Sequence, residues 1–395
     1  MLKNFAKILL FFLLKLIPKK KNLFVFGDRA GIRLADNSRY LFFYLNKNHK
    51  EFKCVWITKD KKIKKYLNNK GYYCYLSNSF FGIYFCLRAR FHIYNFVEND
   101  INRILSEFSD SILLWHGVLP KKLKMLNINS SFTTKFLNKN VKKFFIYPNE
   151  EMSSNIINRF PVNKYKLILS NLPRNMFLKN NKNSEFYKTT GELEFSKKII
   201  SEKKNIFGYF PTWRSNGLEL FLDVKNFDSL FKLNEILYKT NSLILIKKHM
   251  NSEKKDKNVL YNSDIENISS FLEKLSNFRF VDYDFDLNSI LNLCDVLISD
   301  YSGVIFDYLY LDRPIIIYAP DYTEFKKKTG FVFDPVDNNF SHFAQNIDNL
   351  NELILTYSAN KEDFSKKFLS ERKLVKNKVF KNNTEIENII NLLNQ

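Results

Sequence analysis

Short, nearly continuous apolar runs alternate along the chain with longer stretches in which apolar residues recur at helical spacing. Apolar runs of this kind suit strands covered on both faces, so the alternation predicts an α/β architecture with parallel sheets. In the first half the predicted strands are Leu23–Phe26, Phe52–Thr58, Tyr72–Leu76, Phe91–Phe96, Ile112–Trp115 and Phe144–Tyr147. Helical patterns lie between most of them, for example over Ser38–Leu45 and Asn149–Phe160. A polar, irregular stretch over Lys179–Thr190 then reads as an interdomain linker. Strands resume at Asn205–Phe210, Leu243–Lys247, Phe278–Val281, Val296–Ser299 and Ile315–Tyr318, and basic helical segments close the chain from Gln345. A chain of 395 residues exceeds what one core usually supports. The expectation is two doubly wound, Rossmann-type domains facing one cleft, over residues 22–185 and 195–395.

Ahead of the first strand, Phe5–Ile17 is strongly apolar but carries Lys7 and Lys15, and Pro18 and Lys19–Lys21 follow. A bilayer-spanning helix needs about 20 apolar residues, and no small-residue cleavage site follows this one. Residues 1–21 are expected to form a short amphipathic helix in the interface of an anionic membrane. The competing expectation is that they pack on the protein's own core. The net charge of +21 asks for an acidic partner: nucleic acid, a polyanionic polymer, a charged nucleotide or an anionic membrane surface. Part of the surplus follows from a chain rich in Lys, Asn, Ile and Phe. The basic residues are dispersed and no nucleic-acid-binding motif is visible, so nucleic acid is not expected. The four cysteines (Cys54, Cys74, Cys86, Cys294) lack metal-site or disulfide spacing and read as reduced, buried residues of a cytosolic protein.

In open α/β sheets ligands bind beyond the carboxyl ends of the strands. There the sequence places His116-Gly117, then Pro211-Thr212-Trp213-Arg214, then Lys248-His249, and last Asp300-Tyr301-Ser302-Gly303. The run Leu297–Asp307 reads as strand, tight turn and helix start, a site for phosphate in which Ser302 caps the helix and Gly303 lets a ligand approach the backbone. Two of the five histidines occupy these strand ends, one in each half, with Arg214 and Lys248 nearby, which points to a catalytic cleft. His49, His92 and His342 read as structural or solvated. No carboxylate cluster suggests metal ligands; no cofactor is required, and Mg2+ dependence is left open.

The ordered motifs resemble those of the CDP-glycerol glycerophosphotransferase family, which includes teichoic acid primases and polymerases and related capsule polymerases. The resemblance rests on Phe26–Gly31 with Ala35–Tyr40, Leu114–Gly117 followed by Lys121 and Lys122, Leu172–Asn175, Tyr209–Arg214, Lys247–His249, and Ile298–Ser302 with Phe306-Asp307. It implies a GT-B-like fold at the cytoplasmic face of the membrane. It also implies transfer of a polyol phosphate, glycerol phosphate first, from a CDP-activated donor to a hydroxyl of a teichoic-acid-like or capsular polymer, with release of CMP. His116 and His249 are then essential. His116 is assigned as general base on the acceptor side, and His249, Arg214 and Lys248 go to the diphosphate, with Ser302-Gly303 as its cradle. Asp300 or Asp307 would hold a substrate hydroxyl or orient the turn. Gly117, Arg174, Thr212 and Tyr301 complete the expected substrate and phosphate contacts. Val118, Met176, Met250 and Gly303 depart from the family pattern, so the donor stays open between CDP-glycerol, CDP-ribitol and another activated alditol. The alternative is a GT-B glycosyltransferase that uses a nucleotide sugar in surface polysaccharide synthesis.

Overall fold

The computed structural model describes residues 2–123, 136, 139–157, 165–179, 185–212, 221, 223–224, 227–247, 263–381 and 386–395. Two compact units are present: residues 1–116, 123–183 and 380–395 form the first, and residues 117–122 and 184–379 the second. Among the described residues the first holds seven strands, β1 (Lys20–Gly27), β2 (Lys53–Thr58), β3 (Tyr73–Leu76), β4 (Ala89–Tyr94), β5 (Ser111–Leu113), β6 (Lys143–Tyr147) and β7 (Tyr165–Leu169). They pair in the order β3-β2-β1-β4-β5-β6-β7, every pair parallel. The second holds β8 (Asn205–Tyr209), β9 (Ser242–Ile246), β10 (Phe278–Phe280), β11 (Val296–Ser299), β12 (Ile315–Tyr318) and β13 (His342–Ala344), in the order β10-β9-β8-β11-β12-β13 and again parallel. The expected α/β fold of two doubly wound sheets is therefore present. All of β9, β11 and β12 is buried, which is why these strands carry unbroken apolar runs such as Ile315–Ile317.

In each sheet the strand order reverses direction at one place, between β1 and β4 in the first and between β8 and β11 in the second. Gly27 stands opposite Tyr94, so Asp28 and Asn95 leave their strands side by side. Tyr209 stands opposite Ile298, which brings the residues after β8 next to those after β11.

Three elements differ from the sequence expectation. β7 and β13 were not foreseen: β7 is a half-exposed edge strand without a long apolar run, and β13 has only three residues. His342 opens β13. The last helix, Glu387–Asn394, belongs to the first unit, not to the second. It buries Ile389, Leu392 and Leu393, and Asn388 donates its side-chain N–H to the Leu169 carbonyl at the end of β7, 2.7 Å away. The N-terminal helix Leu2–Lys15 packs Phe11 among Phe108, Val141 and Phe136, with Lys7 paired to Glu107 at 2.8 Å. Leu9, Phe12, Leu13 and Leu16 are each more than half exposed. Among the described residues no helix is long and apolar enough to cross a membrane.

Candidate functional site

His116 stands three residues beyond the last residue of β5, Leu113. Its imidazole stacks on the Phe96 ring, with centroids 4.4 Å apart and planes 16° from parallel, and the Trp115 ring lies beside it at 4.1 Å, tilted by 37°. Trp115 reaches this position with a left-handed backbone (φ 58°), and its carbonyl accepts from Asn37 Nδ2 at 2.9 Å. Two aromatic side chains thus fix the plane of a partly exposed imidazole, which fits a group that must offer one nitrogen in one direction.

Beside it the residues of the opening motif form a tight polar framework. Asn95 Nδ2 donates to Asp28 Oδ1 at 2.8 Å, across the reversal point of the sheet, while Asn95 Oδ1 accepts from the backbone N–H and hydroxyl of Ser38 at 3.0 and 3.1 Å. Asp28 is fully buried, and its second oxygen has no hydrogen-bond partner among the described residues. Burial, with Asp36 and Asp100 nearby, pushes its pKa well above the ordinary carboxylate value. Asp100 accepts from Ala30 N–H and Phe96 N–H, each at 2.8 Å, and burial raises its pKa to about 6. Arg174, in the helix Pro173–Lys179, donates its guanidinium to Asp36 at 2.8 Å and its backbone N–H to Asn37 Oδ1 at 3.1 Å. It ties that helix to the helix Asp36–Asn48.

In the second unit Asp300 occupies the corresponding reversal point. Its Oδ1 accepts from Thr212 N–H at 2.9 Å, from the Thr212 hydroxyl at 2.6 Å and from Tyr301 N–H at 2.6 Å. The carboxylate therefore orients the turn, one of its two expected roles. Tyr301 is buried, stacked on Phe325 at 4.1 Å, and its hydroxyl donates to Asp321 at 3.0 Å. Asp307 is buried in the helix Val304–Tyr308. That helix starts differently from the expectation. Its N-cap is Gly303 with no side-chain cap bond, so Ser302 does not cap it by its hydroxyl. A Cβ on Gly303 would lie 2.4 Å from the Val118 carbonyl oxygen. The close approach served by this glycine is that of the segment Gly117–Lys122, which follows His116 and belongs to the second unit. Gly117 itself has φ 118° at the point where the chain passes between units.

Of the predicted residues, His116 and Arg174 stand on the strand-end side of the first unit, and Thr212, Asp300, Tyr301, Ser302, Gly303 and Asp307 cluster in the second. His249, Arg214 and Lys248 lie outside the described residues. Sequence reasoning assigned no role to Phe96, Arg29, Asp28 or Asn95. The signal for them was present, since each follows the carboxyl end of a central strand.

Among known proteins, the chain is 26% identical over 405 residues to the teichoic acid glycerol-phosphate transferase of Staphylococcus aureus, covering 94% of this chain and 96% of that one. It is also 26% identical over 339 residues to the teichoic acid poly(glycerol phosphate) polymerase of Bacillus subtilis, where the match takes in 82% of this chain but only 42% of the relative. In structure it is similar to the wall teichoic acid polymerase TagF, with a TM-score of 0.68 at 19% identity, over all of this chain and 97% of that one, which shows a shared fold. The match to the family described as CDP-glycerol:poly(glycerophosphate) glycerophosphotransferase runs over residues 9–392, and the chain belongs to that family.

Proposed function

We propose that this chain transfers glycerol phosphate from CDP-glycerol to a terminal hydroxyl of a teichoic-acid-like polymer and releases CMP. The observation that carries the reading is His116, stacked on Phe96 and lying against the tilted Trp115 ring just beyond the end of β5 in a member of this family. In the reaction the acceptor oxygen forms a bond to the phosphorus that bears glycerol. The bond from that phosphorus to the oxygen of CMP breaks, and CMP leaves with the electron pair. His116 takes the proton from the acceptor hydroxyl, a role worth about 10²–10⁴-fold in rate. His249, Arg214 and Lys248 neutralise the diphosphate, as their motif positions imply, and cations of this kind stabilise charge that builds up on the leaving phosphate. The Lys surplus suits an anionic polymer acceptor, and the N-terminal helix is read as a contact with the anionic cytoplasmic leaflet.

The test is CMP release by the purified chain with a short poly(glycerol phosphate) acceptor, across CDP-glycerol, CDP-ribitol and UDP-sugars, with Mg2+ and with chelator. Release from CDP-glycerol is expected. Turnover of a UDP-sugar with none from any CDP-alditol would instead favour glycosyl transfer. His116→Ala should abolish turnover and leave CDP-glycerol binding within about threefold. More than about a tenth of the wild-type rate in this variant is too much for the loss of a general base and would sink the assignment.

A further inference from the structure

In doubly wound sheets the reversal point of the strand order is where ligands bind. At that point in the first unit, β1 is followed by Asp28 and Arg29 and β4 by Asn95 and Phe96. Asp28 and Asn95 are buried and bonded to each other, and so form the floor. Arg29 is partly exposed. It begins three successive left-handed residues, Arg29 (φ 45°), Ala30 (φ 55°) and Gly31 (φ 79°). For the first two this costs roughly 1–2 kcal/mol each. The surroundings hold the loop in place: Ala30 N–H donates to Asp100, and the Gly31 carbonyl accepts from Lys59 N–H at 2.6 Å and the Thr58 hydroxyl at 2.8 Å. Strain maintained in this way is a mark of functional loops.

The strained loop sets the Arg29 guanidinium 4.0 Å from the centroid of the Phe96 ring, the same ring on which His116 stacks. Among the described residues the Arg29 side chain makes no hydrogen bond or ion pair. The carboxylates around it have other engagements. Asp36 is paired with Arg174, Asp100 accepts backbone N–H groups with both oxygens, and Asp28 accepts from Asn95. A guanidinium lying against an aromatic face keeps its N–H edges available, and those edges match the oxygens of a phosphate.

We propose that Arg29 binds the phosphodiester of the acceptor nearest its attacking hydroxyl, so that the Arg29–Phe96–His116 stack sets the distance between bound phosphate and base. The proposal rests on the polyol-phosphate transfer proposed above and adds the acceptor contact to it. Arg29 belongs to an opening motif that the donor chemistry leaves unused.

The experiment compares wild type with Arg29→Gln and Arg29→Lys in the full chain. It uses fluorescence anisotropy of a labelled short poly(glycerol phosphate), calorimetric binding of CDP-glycerol, and CMP-release kinetics. Arg29→Gln should weaken oligomer binding and raise the acceptor KM by roughly tenfold to a hundredfold, the worth of a charge-assisted contact. Its kcat should stay within about threefold and its affinity for CDP-glycerol should be unchanged. Arg29→Lys should fall between. Oligomer affinity within about twofold of wild type in Arg29→Gln overturns the proposal, as does no oligomer binding by wild type. A parallel loss of CDP-glycerol affinity in Arg29→Gln marks a damaged loop, and Arg29→Lys then decides: unaltered oligomer binding in it overturns the proposal, whereas weakened oligomer binding with CDP-glycerol affinity intact upholds it. If wild type binds the oligomer through Arg29 but releases no CMP from any CDP-alditol, the anion site stands and the proposed reaction falls.

Discussion

At the end of β1 the Asp28 carboxyl group is fully buried, its second oxygen is without a hydrogen-bond partner among the described residues, and its pKa is pushed well above the ordinary carboxylate value by burial, Asp36 and Asp100. A raised carboxyl pKa means that the folded state favours the protonated form. The stability it contributes is fully present below the unfolded value near 4 and is lost progressively as pH rises toward the folded value. Asp28→Asn keeps the shape of the protonated acid and still accepts from Asn95. The melting temperature of this variant should therefore gain on wild type as pH goes from 5 to 8; a gap that does not change with pH would show that Asp28 is ionised in the fold. His92 has the opposite sign. Buried, with its ring nitrogens 2.8 Å from Ser106 Oγ and 2.9 Å from the Cys86 carbonyl, it has a pKa lowered to about 3. It belongs to the core, as its place inside an apolar strand suggested. The cysteines are likewise free and buried, with Cys74 and Cys86 thiols pushed up to about 12 by burial. Local pattern was enough for His92, Cys74 and Cys86 because each sits inside an apolar run.

The helix start at Gly303 shows where element-level reasoning succeeds and where it stops. The order strand, turn, helix was legible from Val296 to Asp307, and β11 and the helix Val304–Tyr308 occupy it. What the glycine is for was not legible, because Val118 is remote in sequence. Two positions that depart from the family pattern, Val118 and Gly303, lie against one another. Gly303→Ala would press a methyl group into the Val118 carbonyl. A loss of about 1–3 kcal/mol is expected, as for other overpacked sites, measurable by urea unfolding of the variant beside wild type. Unchanged stability would mean that the segment Gly117–Lys122 gives way freely. That segment is held on its other side by the Lys122 N–H, which donates to the Gly330 carbonyl at 3.1 Å, and by a bridge between Lys121 and Phe331.

For the whole molecule, the N-terminal helix divides its apolar residues between two uses. Phe11 is buried on the first unit, whereas Phe12, Leu13 and Leu16 remain more than half exposed near Lys15 and Lys19–Lys21. Such a side chain gains about 1.5–3 kcal/mol when fully buried. Replacing Phe12, Leu13 and Leu16 with Ser should thus reduce sedimentation with vesicles containing anionic lipid by at least about tenfold, with CMP release from a soluble acceptor retained. Equal sedimentation of variant and wild type would end the membrane reading of this helix. The sequence by itself determined the α/β class, most strands, the strand-end positions of His116 and Asp300, and the family. These depend on residue periodicity and on short motifs, which are local properties of a chain. It took the tertiary fold to show that Phe96 stacks on His116, that Asp28 meets Asn95, that Arg174 is engaged by Asp36, and that the last helix returns to the first unit. Each of these joins residues on different strands or helices, and their meeting is fixed by strand order and register, which no local pattern contains.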